Sequence, residues 1–200
     1  MDAAKPSAEP GQSLNATAPQ PLKAILDGLD VVSRLDGWLG ALCLVLLTSL
    51  MLAEVIVRAL SNVIPWVPAS IPVAWEWSSY LMAATFTFGA AMTLRAGGHI
   101  RVALLLARAS PGAVRMLEII AAAVGFVFVA FLAYAMFNFT LSSFARGQTS
   151  VTSATPLWIP QAVITFGIVL LASQLLARLL QALLGLPVED HRMKAAVSAD

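Results

Sequence analysis

Three clusters in this chain carry side chains suited to chemistry. The stretch LRAGGHIRVALL, residues 94–105, brings Arg95, His99 and Arg101 together around a glycine pair. Such a cluster could be a ligand site, a metal site or a marker of membrane topology. Glu54 and Arg58 stand four residues apart within an apolar run, and Glu76 lies between Trp75 and Trp77. A carboxylate inside a membrane span could contact a partner or couple to a proton, since burying an ionisable group there is costly.

A metal site at His99 needs companion ligands. The other histidine, His191, is near the C-terminus, and the single cysteine, Cys43, sits in an apolar run. No chelating spacing results, and no internal disulfide can form. Haem ligands within the apolar runs are missing as well. No nucleophile is set beside a base and an orienting group, and no glycine-rich loop cradles phosphate. Neither an enzyme nor a cofactor is therefore expected.

Glu54 and Arg58 fall on one helical face and can pair. The pair could neutralise itself and set the depth of its helix, contact a neighbouring subunit, or supply a proton-coupling carboxylate. Glu76 suits a helix N-terminus, where the macrodipole favours negative charge. It could also pair with Arg58 across a hairpin or meet a partner. Glu118, close to Arg115, reads as an interfacial ion pair.

These groups belong to a chain built for a lipid environment. Hydrophobic residues make up 59% of the 200 positions and charged residues 12%, against about 25% charged in ordinary soluble domains. The net charge of +1 gives no excess that would attract nucleic acid. Four runs are long enough for a hydrocarbon core roughly 30 Å thick, at about residues 38–60, 73–95, 112–140 and 157–184. Helices are the form that satisfies every backbone group in lipid. The expected fold is an all-α integral membrane protein with four transmembrane helices.

Charge placement orients the spans. With the N-terminus inside, Lys5, Lys23, Arg34, Arg95, Arg101, Arg108, Arg115, Arg178, Arg192 and Lys194 lie on the inner side, and only Arg58 and Arg146 on the outer. This is the positive-inside bias, and it predicts both termini in the cytoplasm. Trp66, Trp75, Trp77 and Trp158 fall at outer ends, where an aromatic belt sits, and Trp38 marks the inner end of the first span.

Two amphipathic interfacial helices are expected beside the spans. One covers 22–36, with Leu22, Ile25, Leu26, Leu29, Val32 and Leu35 on its apolar stripe; its charges nearly cancel, and it could dock against a partner or lie flat at the interface. The other covers 100–109 and carries Arg101 and Arg108 on one face. Ser110-Pro111 then opens the third span. Residues 1–21 read as a disordered cytoplasmic tail, rich in Pro, Ala, Ser and Gln, with no apolar segment of signal-peptide type. Residues 187–200 read as a second cytoplasmic tail. In the second span Gly89, Thr93 and Gly97 recur every four residues, which lets another helix approach closely. That helix could belong to this chain or to a partner.

An ordered pattern runs from Glu54 to Leu106. It comprises Arg58, Pro65-Trp66, Glu76, Tyr80, Phe88-Gly89-Ala90-Ala91, Arg95 and His99-Ile100-Arg101-Val102. The opening of the fourth span, Pro156 to Pro160, continues it. In these residues the chain resembles the small membrane subunit of tripartite ATP-independent periplasmic (TRAP) transporters, the DctQ-like family, over about residues 35–185. Trp77 and Ala103 stand where many relatives carry an acidic residue.

The resemblance implies a bacterial inner-membrane scaffold. Its partners would be a large membrane subunit, which carries substrate and sodium ions, and a periplasmic substrate-binding protein that delivers organic acids; membrane lipid surrounds it. On this reading Glu54, Arg58, Glu76, Tyr80, Gly89, Arg95 and His99 are assembly contacts, with His99 at the corner between the second span and the interfacial arm. The competing readings are a stand-alone four-span proton-coupled transporter and a membrane anchor of another complex.

Overall fold

Backbone breakers decide where the helices stop. Pro65, Pro68 and Pro72 crowd one connection and Pro156 lies in another, while Pro21, Pro111 and Pro160 fall in first helical turns. There a missing N–H costs nothing. A computed structural model describes residues 20–95 and 111–185. The described residues form four helices: α1 Gln20–Ser61, α2 Ala74–Arg95, α3 Pro111–Ala145 and α4 Trp158–Leu184. Among the described residues there is no strand, only an isolated antiparallel bridge between Thr149 and Pro156.

Side-chain contacts fix the directions. Gly37 faces Met92 and Gly40 faces Gly89, so α1 and α2 are antiparallel. Arg115 meets Ala182 and Thr140 meets Thr165, so α3 and α4 are antiparallel too. Thr87 touches Gly167, and Leu94 touches Arg178, which makes α2 and α4 parallel. The result is an up-down-up-down bundle. α4 packs against α3, α2 and α1, and α2 packs against α1 and α4.

Among the described residues, three helices are long and apolar enough to cross a membrane by length and composition: Leu26–Ser61, Gly112–Ala145 and Trp158–Leu184. α2 falls short of that measure, and its packing explains why. It lies between α1 and α4, with Ala74, Ala84, Thr87, Phe88, Ala91 and Leu94 buried. A helix covered on two sides needs fewer lipid-facing apolar residues, so it can carry Ser78, Ser79, Thr85, Thr87 and Thr93. Elsewhere large apolar side chains point outward, among them Leu42, Val45, Leu52, Val127 and Phe131.

The first helix differs from expectation. Residues 22–36 are not a separate interfacial helix; they are continuous with the span, in one helix of 42 residues. At about 1.5 Å per residue it is about 63 Å long, roughly twice the hydrocarbon core. No proline interrupts residues 22–61, and the segment packs on α2 and α4 instead of lying on lipid. Its covered face is rotated from the expected apolar stripe: Leu26, Ser33, Asp36 and Gly40 are buried, whereas Leu35 is exposed. The expected interfacial helix at 100–109 and both tails, apart from residues 20 and 21, lie outside the described residues.

Candidate functional site

Glu54 lies on α1 two turns before its end, and its side chain is only 6% exposed. Arg58 Nη2 donates to Oε1 at 3.0 Å, from one helical turn away. The backbone N–H of Ile71 donates to Oε2 at 2.7 Å, from the far end of the α1–α2 connection. One carboxylate thus satisfies a guanidinium and ties down a proline-rich loop whose amide has no ladder partner. The expected Glu54–Arg58 pair forms, and the bond to Ile71 is an addition that spacing could not reveal.

Glu76 sits in the first turn of α2. Its Oε2 accepts from Ser150 Oγ at 2.5 Å. Its Oε1 accepts from Ser153 Oγ at 2.9 Å and from the Tyr80 hydroxyl at 2.9 Å. Bonds from hydroxyl to carboxylate are charge-assisted and short. Ser150 and Ser153 belong to the α3–α4 connection, which also closes on itself. Ser150 N donates to Thr155 O at 2.9 Å, Leu157 N to Gln148 O at 3.0 Å, and Ser143 Oγ to Gln148 Oε1 at 3.0 Å. Gly147 takes φ 59° and Ala154 φ 53° in this tight turn; the alanine adopts a conformation that costs non-glycine residues energy. Tyr80 is braced edge-on by Trp77 at 6.2 Å between ring centroids.

Two carboxylates therefore shape the two connections at the end of the bundle that carries Trp66, Trp75, Trp77 and Trp158. Glu76 does not pair with Arg58, which is engaged by Glu54. Tyr80 joins Glu76, as their four-residue spacing permits. These connections present Val63, Trp66 and Val151 almost fully exposed.

The other end is held by arginines. Arg178 Nη1 donates to Leu94 O at 3.0 Å. Arg115 donates through Nε to Ala182 O at 3.2 Å and through Nη2 to Leu183 O at 2.6 Å. The last carbonyls of a helix have no partners of their own, and a cation there also suits the dipole. α4 ends at Gly185, in the left-handed region at φ 69°, a common helix stop. Gln174 Nε2 reaches Leu29 O at 2.9 Å and ties α4 to α1. Beside it, Ser33 and Asp36 are buried, with no hydrogen-bond partner for their side-chain oxygens among the described residues.

Gly89 lies in a close helix contact within this chain. A Cβ on Gly40 would come 3.2 Å from the Gly89 nitrogen, whereas a Cβ on Gly89 would meet nothing within 4 Å. A Cβ would also collide at Gly167, 2.6 Å from Thr87 Oγ1, and at Gly37, against the flexible side chain of Met92. Arg95 is the last residue of α2; its side chain and all of His99 lie outside the described residues. Among the described residues no three His, Cys, Asp or Glu side chains gather in a way that could hold a metal.

The arrangement can brace loops and lock helices, and its polar groups act on the chain itself. Neither a curated protein nor a solved structure matches the chain. A family model does match, over residues 47–185, described as tripartite ATP-independent periplasmic transporters, DctQ component. That stretch holds α2, α3, α4, the last part of α1 and both carboxylate-braced loops, and with it the chain belongs to the DctQ family of TRAP transporter membrane components.

Proposed function

We propose that this chain is the small, non-catalytic scaffold subunit of a TRAP-type importer in the bacterial inner membrane. It crosses the bilayer four times with both termini in the cytoplasm, α2 joining the three long apolar helices as a span. It stabilises the large membrane subunit, which moves organic acids with sodium ions, and it offers its outer loops to the periplasmic substrate-binding protein. The observation that carries this reading is the use made of the two carboxylates. Glu54 and Glu76 each hold a connection of the chain in place, which is a shaping role. The orientation rests on the lysine and arginine bias, ten against two. The braced loops then face the periplasm, where a soluble partner can reach Trp66 and Val151.

Reconstituted uptake tests the reading. Proteoliposomes holding the large subunit with this chain and the binding protein should accumulate an organic acid along a sodium gradient. The large subunit without this chain should lose most of that uptake. Full-rate uptake by the large subunit and binding protein alone would overturn the scaffold assignment.

A further inference from the structure

The outward face of α3 carries a polar pair in a place meant for apolar side chains. Val124, Val127, Phe131, Tyr134, Asn138 and Leu141 follow one another at alternating steps of three and four residues, and all are exposed. This stripe lies away from α4, the main packing neighbour of α3. Four of the six are what lipid requires. Tyr134, 69% exposed, and Asn138 are not.

Their depth follows from contacts on the other side of α3. Trp158 stacks edge-on with Phe144 at 5.5 Å, and Thr140 bonds Thr165 at 3.1 Å. Thr165 is seven residues past Trp158, and Phe144 is six past Asn138, so the two contacts put Asn138 about 9–14 Å and Tyr134 about 15–20 Å below the tryptophan level, at about 1.5 Å per residue. With Trp158 at the interface, both fall at acyl-chain depth. Helical side chains lean toward their helix N-terminus, which for α3 is the end away from Trp158. Asn138 does so: its Nδ2 donates back to Tyr134 O at 2.9 Å. It therefore leans into the bilayer and not out toward water. Thr48 and Thr93, also exposed, return their hydroxyls to carbonyls four residues back. Asn138 keeps an amide oxygen, and Tyr134 a hydroxyl, with no partner among the described residues. In hydrocarbon such groups are costly unless another helix bonds them.

We infer that this face of α3 seats a transmembrane helix of the large membrane subunit, which offers a hydrogen-bonding side chain to Asn138 and Tyr134. The inference rests on the scaffold reading above and names the surface that performs it. The three-and-four spacing suits one long helix crossing at a shallow angle.

Photocrosslinking in the membrane, with the whole transporter co-expressed, tests it. A benzophenone amino acid replacing Tyr134 should trap the large subunit, and the same probe replacing Val45 on α1 should not. Asn138→Leu should reduce the large subunit retained on this chain by roughly threefold to thirtyfold. Asn138→Gln should retain it, and Tyr134→Phe gives a second, gentler variant. Adducts only with lipid, adducts only with a second copy of this chain, or full retention by both Asn138→Leu and Tyr134→Phe would overturn the inference. Wild-type retention of the large subunit with trapping from Val45 alone would overturn this face and leave the scaffold reading intact. No retention by the wild type would overturn both.

Discussion

Ser150 donates a 2.5 Å hydrogen bond to the carboxylate of Glu76, a residue 74 positions earlier in the chain. With Ser153 and Tyr80 completing the set, the first turn of α2 becomes the anchor of a connection that joins two other helices. Glu76→Ala should release that loop without unfolding the bundle, whose helix contacts lie elsewhere. Trypsin cleavage after Arg146, which is exposed at the loop's start, should speed up by at least roughly tenfold, because the change removes two charge-assisted bonds to the loop, from Ser150 and Ser153, and each bears on local opening. Unchanged cleavage would mean that the loop's own backbone bonds suffice.

Glu54 makes a second prediction, about rank order. Glu54→Leu strands the Ile71 N–H and the Arg58 guanidinium together. Glu54→Gln keeps an oxygen for Ile71. Arg58→Ala removes only a pair whose arginine side is 57% exposed, worth less than about 1 kcal/mol. Thermal unfolding followed by tryptophan fluorescence should place Glu54→Leu as the most destabilised, by at least about twice the Arg58→Ala effect. A proton-coupling role for Glu54 would instead leave stability flat and abolish flux in Glu54→Gln.

The sequence made the helices legible because lipid imposes a demand on every residue of a run. Bounds of 73–95 and 157–184 stand within a residue of the helices α2 and α4, and of these two α4 is long and apolar enough to cross a membrane. Pairing of Glu54 with Arg58 was equally legible, since the two are neighbours by helical geometry alone; Tyr80 bonds Glu76 at the same spacing, where the sequence pointed to Arg58 or a partner instead. What stayed hidden depends on which helix lies beside which. Ser150, Ser153, Ile71, Arg178 and Gln174 act across 17 to 145 positions of chain, and nothing in their local spacing announces it. The amphipathic stripe at 22–36 misled for a related reason. Its periodicity fits a helix lying on lipid, but Ser33 and Asp36 turn inward once α2 and α4 supply a protein surface.

Helix approach gives a third prediction, in which three glycines behave differently. Gly167→Ala would set a methyl 2.6 Å from Thr87 Oγ1 and 2.9 Å from Thr87 Cβ, an overpacking cost of about 1–3 kcal/mol. Thr87→Ala should recover much of it in the double variant, because it removes the colliding atom. Gly40→Ala meets backbone of α2 at 3.2 Å, which no side-chain rotation relieves. Gly89→Ala meets open space and should be nearly neutral or slightly stabilising through helix propensity. Thermal shifts of the four variants in one detergent would decide; a Gly89→Ala loss as large as Gly40→Ala would contradict this packing.

Arg178 closes the end of the bundle opposite Trp66, Trp75, Trp77 and Trp158, and its removal tests how that end is held. Its Nη1 caps Leu94 O, one of the carbonyls that the C-terminus of α2 cannot satisfy internally. Arg178→Ala should fray the last turn of α2 while leaving Glu76 and its loop undisturbed, since the two lie at opposite ends of that helix. Hydrogen–deuterium exchange over residues 91–95 should rise roughly tenfold, the scale of one charged hydrogen bond, with exchange over 146–157 unchanged. Arg178→Lys should recover only part of the protection: the ammonium still complements the helix dipole but loses the planar fork. Arg115→Ala should instead loosen the end of α4, because its contacts are Ala182 and Leu183. Equal fraying of α2 and α4 in both variants would show that the two arginines act through general charge and not through the carbonyls each one touches.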